Sequence, residues 1–264
     1  MTARSVGCDI RLEVDAPARL AFQVAVASGV EARERLEFRL DGRPIDADEL
    51  TDAVGNRLHV VDAPAGSLTC SYAAEVPGPA PEASADAVDL LAFLRPSRYA
   101  ESDRLAATAA SEFARVEGVD RLAAVSSWVG TRLSYVPGSS SPTDGAVQTL
   151  LARQGVCRDY AHLVVALLRA LDVPARLVAV YAPGLDPMDF HAVAEAFVDG
   201  AWHVVDATTL APRETLVRIS TGRDAADTAF LSVYGGAVRL DSVEVTAVAD
   251  ELPDDDVRRL VRLR

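Results

Sequence analysis

Cys157, His191 and Asp206 follow one another between Gly155 and Ala207. They are the residue types of a nucleophile, a general base and an orienting carboxylate, in chain order. A thiol attacks a carbonyl carbon only as thiolate, a histidine takes or holds its proton, and a carboxylate fixes the imidazole tautomer. Together they are the parts of a nucleophilic triad.

The elements that must position them are legible around each. Beyond Cys157, apolar residues fall at Tyr160, Val164, Leu167, Leu168 and Leu171, the spacing of a helix of about four turns. Gly155 gives the chain freedom for a tight approach, and Asp172 and Pro174 end the helix. Cys157 is therefore expected in the first turn, where unpaired N–H groups and the helix dipole favour the thiolate and could hold an oxyanion. The competing reading is a buried core thiol; Arg158 and Asp159 beside it argue against an apolar pocket. His162 stands five residues on, about 140° around the helix from Cys157, and is read as a packing or hydrogen-bonding histidine.

Asp199-Gly200 is a strong hairpin signal between strands 190–198 and 201–207. With a two-residue turn, Val198 pairs with Ala201, which sets Val193 opposite Asp206 and His191 opposite Thr208. His191 and Asp206 then share a face as diagonal neighbours, whereas His203 opposes Ala196 and points to the other side. A longer turn or a bulge would break this register. A zinc site of Cys157, His191 and Asp206 is a weaker rival, because the ligands are scattered and lack a close pair.

Residues 9–76 alternate in strand fashion, with Ile10, Leu12 and Val14 on one parity and Leu36, Phe38 and Leu40 on another run. Turn signals punctuate them, including Asp41-Gly42, so a small antiparallel sandwich is expected, with Cys8 and Cys70 as structural thiols. Pro77-Gly78-Pro79-Ala80-Pro81 is a stiff linker. Helices are expected at 86–94, 105–116, 120–133 (with Asp120 as N-cap) and 145–153, with residues 97–103 and the Ser-rich stretch 134–144 as loops.

The 264 residues carry 26 Lys and Arg against 39 Asp and Glu, a net charge of −13. That excludes the basic footprint of a nucleic-acid binder. No apolar run approaches a membrane span, and residues 1–9 lack the core of a secretory signal. A cytoplasmic protein with no membrane partner is expected. Three widely spaced cysteines form neither a disulfide framework nor a zinc pair.

The strings Gly155-Val156-Cys157-Arg158-Asp159-Tyr160-Ala161-His162, Val173-Pro174-Ala175-Arg176, Asp189-Phe190-His191-Ala192 and Val205-Asp206-Ala207-Thr208 resemble the transglutaminase-like superfamily, in its bacterial branch described as "putative cysteine proteases". Leu94–Tyr99, Tyr135–Ser140 and Thr221–Asp227 resemble that branch too. The resemblance implies an α+β protein: an N-terminal antiparallel β-sandwich (1–78), then a papain-like, transglutaminase-like core of helices packed on an antiparallel sheet (84–250), then a charged tail (251–264). It implies a Cys157–His191–Asp206 triad, an acyl-enzyme thioester and no metal or organic cofactor; ordered calcium ligands are not evident, and the acidic run 250–256 reads as solvated. Arg223 and Asp224 could line the cleft or form a structural ion pair. Trp202 and Tyr135 could stack an acyl acceptor, or belong to the core. The substrate expected is a protein, peptide or small amide. Hydrolysis is favoured over transfer to an amine, and a non-catalytic binding module is the third reading. Neither the oligomeric state nor the natural substrate follows from the sequence.

Overall fold

The computed structural model describes residues 3–83 and 85–263; Met1, Thr2, Ser84 and Arg264, at the ends of the expected segments, lie outside the described residues. The strands of the first part are β1 (Arg4–Ala16), β2 (Ala18–Phe22), β3 (Arg33–Leu40), β4 (Arg43–Pro44), β5 (Asp48–Thr51), β6 (Arg57–Ala63) and β7 (Gly66–Val76). Three helices follow, α1 (Ala87–Ala92), α2 (Ser102–Phe113) and α3 (Asp120–Arg132). Next come β8 (Ser134–Tyr135), α4 (Ala146–Ala152), β9 (Gln154–Gly155) and α5 (Cys157–Ala170). The chain continues through β10 (Ala175–Tyr181), β11 (His191–Val198), β12 (Ala201–Val205), β13 (Val217–Gly222), β14 (Leu231–Tyr234) and β15 (Ala237–Ala249).

The alternation of β1 buries Val6, Cys8, Ile10, Leu12 and Val14 on one face. Facing strand β7 buries Leu68, Cys70 and Tyr72, in a register that sets Ile10 against Cys70. The opposed sheet adds Leu20, Phe22, Val61 and Ala63 to the same core. Asp41 and Gly42 both take positive φ, 49° and 75°, the tight turn expected between β3 and β4.

The sandwich is not built from the first part alone. Its two sheets run β15-β1-β7-β3-β4 and β14-β2-β6-β5. Strands β14 and β15, which the sequence places within the 84–250 core segment, pair with β2 and β1 instead. Their alternation is satisfied equally well on either sheet, and β15 completes the open edge of β1 along its whole length, from Arg4↔Ala249 to Ala16↔Ala237.

The core sheet is antiparallel, in order β12-β11-β10-β13. Helix α5 packs on β10 and β11, with α2, α3 and α4 around it. Leu163, Val164, Leu167 and Leu168 of α5 meet Ala175, Ala194 and Ala196 of the sheet. These small sheet residues let a helix buried on nearly every side lie close. Helix α2 begins at Ser102, inside the stretch expected as loop, because Leu105, Ala109 and Phe113 supply a core face. Asp120 is the first helical residue rather than the cap, which is Val119.

The acidic run 250–256 is mostly exposed, as expected, but it is anchored through Asp255, and the tail beyond it is partly buried. Asp255 accepts from Arg213 Nε and Nη2, both at 2.8 Å, and from the Arg213 N–H at 3.0 Å. Val204 donates its N–H to Val261 O at 2.8 Å, and Val261 and Leu263 are buried. The buried Arg213 needs a carboxylate partner, and the tail brings it. No helix among the described residues is long and apolar enough to cross a membrane.

Candidate active site

Cys157 is the first residue of α5, after an extended Val156. Asp159, in the first turn and fully buried, reaches back to accept the Val156 N–H at 2.8 Å. That carboxylate fills the space beside Gly155: a Cβ there would stand 2.6 Å from Asp159 Cβ and 2.8 Å from its Oδ2. Gly155 is thus required by close approach, not by a left-handed φ. The N–H groups of Cys157 and Arg158 have no acceptor within the helix, as its first turn dictates, and they surround a half-buried thiol.

The hairpin register is the expected one, with Val198↔Ala201, Ala196↔His203 and Ala194↔Val205. Asp199 and Gly200 take φ of 51° and 79°. The ladder stops at Val205, so Asp206 leaves the sheet instead of pairing with Val193, yet it stays on the side of His191. His191 Nε2 and Asp206 Oδ2 lie 2.8 Å apart, both side chains almost wholly buried. Asp206 Oδ1 accepts from the Thr208 N–H at 2.8 Å and the Thr208 hydroxyl at 2.7 Å. Nδ1 of His191 is buried without a formed hydrogen bond. It is the atom left to meet Cys157, whose Sγ lies 3.9 Å from Phe190 O, in the residue before His191.

Burial alone would push the imidazole down; the charge and hydrogen bond of Asp206, then the neighbouring Cys157 side chain, outweigh it and raise His191 to about 10. Burial likewise opposes ionisation of Asp206, but His191 and the two Thr208 donors hold its carboxyl below the ordinary value. The arrangement is a charged pair beside a thiol at a helix N-terminus. Among the described residues no three His, Cys, Asp or Glu side chains group as a metal site.

The remaining candidates separate. Tyr135 stays at the thiol: its pairing with Gly155 sets its hydroxyl against the Cys157 backbone N–H, and burial followed by the charge of Cys157 pushes it up to about 12. Trp202 does not stay. It packs in the core against Phe93 and Phe197, with the Arg176 guanidinium 3.9 Å over its ring. Arg223 pairs with Asp227, at 2.9 Å, rather than with Asp224. Asp224 is buried and accepts the Tyr99 and Ala226 N–H groups. His162 is fully buried, stacks on Tyr99 and accepts the Ala225 N–H at 3.1 Å; burial pushes it down to about 3, so it stays neutral.

Several supports of the site were missed in the sequence. Thr208, two residues after Asp206, is an Asx-type partner whose spacing could have flagged it. Ser126 and Gly130 lie one turn apart on α3. The Ser126 hydroxyl donates to Asp206 O at 3.3 Å, and a Cβ on Gly130 would meet Ala207 O at 2.7 Å. A small residue one turn from a serine was the available signal.

The chain belongs to the transglutaminase-like superfamily, whose model matches residues 103–207. It is 32% identical to a crystal structure from Cytophaga hutchinsonii described as a "putative cysteine protease", with a TM-score of 0.87 over 96% of this chain and 92% of that one. It is also 29% identical over 169 residues to the uncharacterized protein ML0607 of Mycobacterium leprae, covering 59% of this chain and 61% of that relative's length. A third relative, the uncharacterized protein Rv2569c of Mycobacterium tuberculosis, is 39% identical over 75 residues, which are 26% of this chain and 24% of that protein.

Proposed function

We propose that this chain is a cysteine-dependent acyl-transfer enzyme that cleaves an amide or peptide bond through a thioester, with Cys157 as nucleophile, His191 as base and acid, and Asp206 as orienting carboxylate. The observation that carries the reading is the 2.8 Å contact of His191 Nε2 with Asp206, which leaves Nδ1 open beside Cys157. With His191 raised to about 10, Nδ1 already holds the thiol proton, and the thiolate attacks the carbonyl carbon. The developing oxyanion lies at the first turn of α5, where the Cys157 N–H would exchange the Tyr135 hydroxyl for the oxyanion and the Arg158 N–H has no acceptor within the helix. His191 then protonates the leaving amine, and the thioester remains. Water, deprotonated by Nδ1, attacks the thioester, and the acid and the thiol are released. Transfer to an amine instead of water is the second reading; Tyr135, half-open beside Cys157, is the surface on which an acceptor would stack.

The substrates proposed are proteins, peptides or small amides. Three free thiols suit a reducing compartment, which supports a cytoplasmic setting.

The test is alkylation of Cys157 by iodoacetamide at pH 6.5, read by mass spectrometry. Cys8 and Cys70 are buried, and burial pushes both thiols up, so neither competes. The rate is expected to fall at least about tenfold in His191→Ala. A slow thiol indifferent to that change would overturn the reading. Product analysis of an acylated Cys157, with and without an added amine, separates hydrolysis from transfer.

A further inference from the structure

We infer that Asp189 sets the charge preference of the Cys157 cleft, favouring a substrate that places an ammonium or guanidinium group beside the reacting sulfur. The inference rests on Cys157 being the nucleophile and names the chemistry its cleft selects.

The geometry runs through one residue. Asp189 Oδ1 accepts the Phe190 N–H at 2.7 Å, and the carbonyl of the same Phe190 lies 3.9 Å from Cys157 Sγ. The carboxylate and the sulfur bracket a single residue, so they stand within roughly 10 Å, about one Debye length at 0.1 M salt. Asp189 is exposed, and among the described residues its carboxylate meets no cation and no other donor. The residue is held by its own backbone, and its charge is free.

The surrounding charges do not cancel it. On its own loop, Asp186 is the other charged residue, also exposed. Across the cleft the wall is the Ser-rich stretch 136–144, whose charged residue Asp144 is half-buried and turned to the Ser141 N–H. Arg158, on α5, is the nearby cation, and its counter-charge is its neighbour Asp159, whose Oδ1 lies 3.8 Å from Nη2; the guanidinium is turned to the wall, where Nη2 donates to Ser140 Oγ at 2.7 Å and to Ser141 O at 2.9 Å. Asp159 is buried beneath, taking the Val156 N–H and the Ser140 hydroxyl. Inside the cleft, protonated His191 is matched by Asp206. What remains at the mouth is negative.

Tyr135 supplies the complement. Its ring is partly exposed, stands beside Cys157, and feels the charge of Asp189. A cation between this ring and the Asp189 carboxylate gains from both the face of the phenol and the charge. The cation could be a side chain of the acyl donor or the far end of a diamine acceptor; both present the same chemistry to Asp189.

Three alkylating probes of one size test this on the whole chain: 2-bromoethylamine (cationic), iodoacetamide (neutral) and iodoacetate (anionic). The readout is the ratio of the cationic to the anionic rate at Cys157, which cancels any change in the thiol's own reactivity. Asp189→Asn keeps the acceptor for Phe190 N–H and should lower the ratio about threefold; Asp189→Lys should lower it about tenfold, and 1 M salt should shrink both changes. A ratio unmoved by Asp189→Lys overturns the inference. If instead the parent thiol reacts slowly with iodoacetamide and ignores His191→Ala, it is the acyl-transfer reading that falls. Comparing glycine p-nitrophenyl ester with p-nitrophenyl acetate then assigns the cation to the donor: a preference for the glycyl ester that Asp189→Asn removes. No such preference, with faster deacylation by ethylenediamine that Asp189→Asn slows, assigns it to the acceptor.

Discussion

Strand β11 carries two buried charged groups of the same face, four residues apart, and treats them in opposite ways. Glu195 is saturated. Arg176 meets its Oε2 at 2.7 and 2.9 Å, and Arg218 reaches Oε1 at 2.7 Å and Oε2 at 2.9 Å. His191 is left with one nitrogen engaged and the other open. A finished network can only hold the sheet together; an unfinished one can take a proton. The difference lies in valence, since burial is equally deep in both.

The largest effect expected from that contrast is on Glu195. Glu195→Gln leaves two buried arginines without their counter-charge and should cost about 3–5 kcal/mol, measured as a fall in the urea midpoint. Asp206→Asn should unfold the chain less and yet slow Cys157 alkylation more than Glu195→Gln does. Equal losses of both properties in both variants would break the comparison.

A smaller effect separates the two clusters by pH. Burial opposes the Glu195 charge, but Arg218 and Arg176 lower it to about 2. Its stabilisation is present above the unfolded carboxylate value of about 4.3 and is lost as pH falls toward 2. His191, raised to about 10, runs the other way: its contribution is complete below the unfolded imidazole value of about 6.5 and is lost as pH climbs through 10. Thermal midpoints should therefore decline between about pH 7 and 10 in the parent, and His191→Gln should flatten that limb while leaving the acid limb set by Glu195.

The smallest effect is expected at Thr208. Thr208→Val keeps the backbone donor to Asp206 and deletes the hydroxyl donor, a loss of about 1 kcal/mol. It should appear as a few-fold slower alkylation of Cys157 with little change in the unfolding midpoint.

The pairing of His191 with Asp206 was legible in the sequence because it rests on a local device. Asp199-Gly200 admits one tight turn, and a two-residue turn fixes every opposed pair after it. The place of Cys157 was legible for the same reason, through the periodicity of α5. What the sequence hid is long-range. Nothing local distinguishes β14 and β15 from strands of the core sheet, and no spacing announces that Asp255 will reach Arg213. Trp202 stayed open between cleft and core because aromatic residues suit both; the stacked Arg176 decided it. Asp189 stood in the His191 motif, but its open charge becomes meaningful only once Arg158 is seen to be tied to Ser140 and Ser141.

The pairing of β1 with β15 also has a consequence in time. As the chain leaves the ribosome, β1 finds β7 early, but its other edge waits until residue 249 has emerged. Until then this 13-residue strand presents a row of bare N–H and C=O groups, an invitation to pair with a neighbour. Strand β15 is the one that closes β1, so a chain stopped before Ala237 should be captured by its own kind before it can fold.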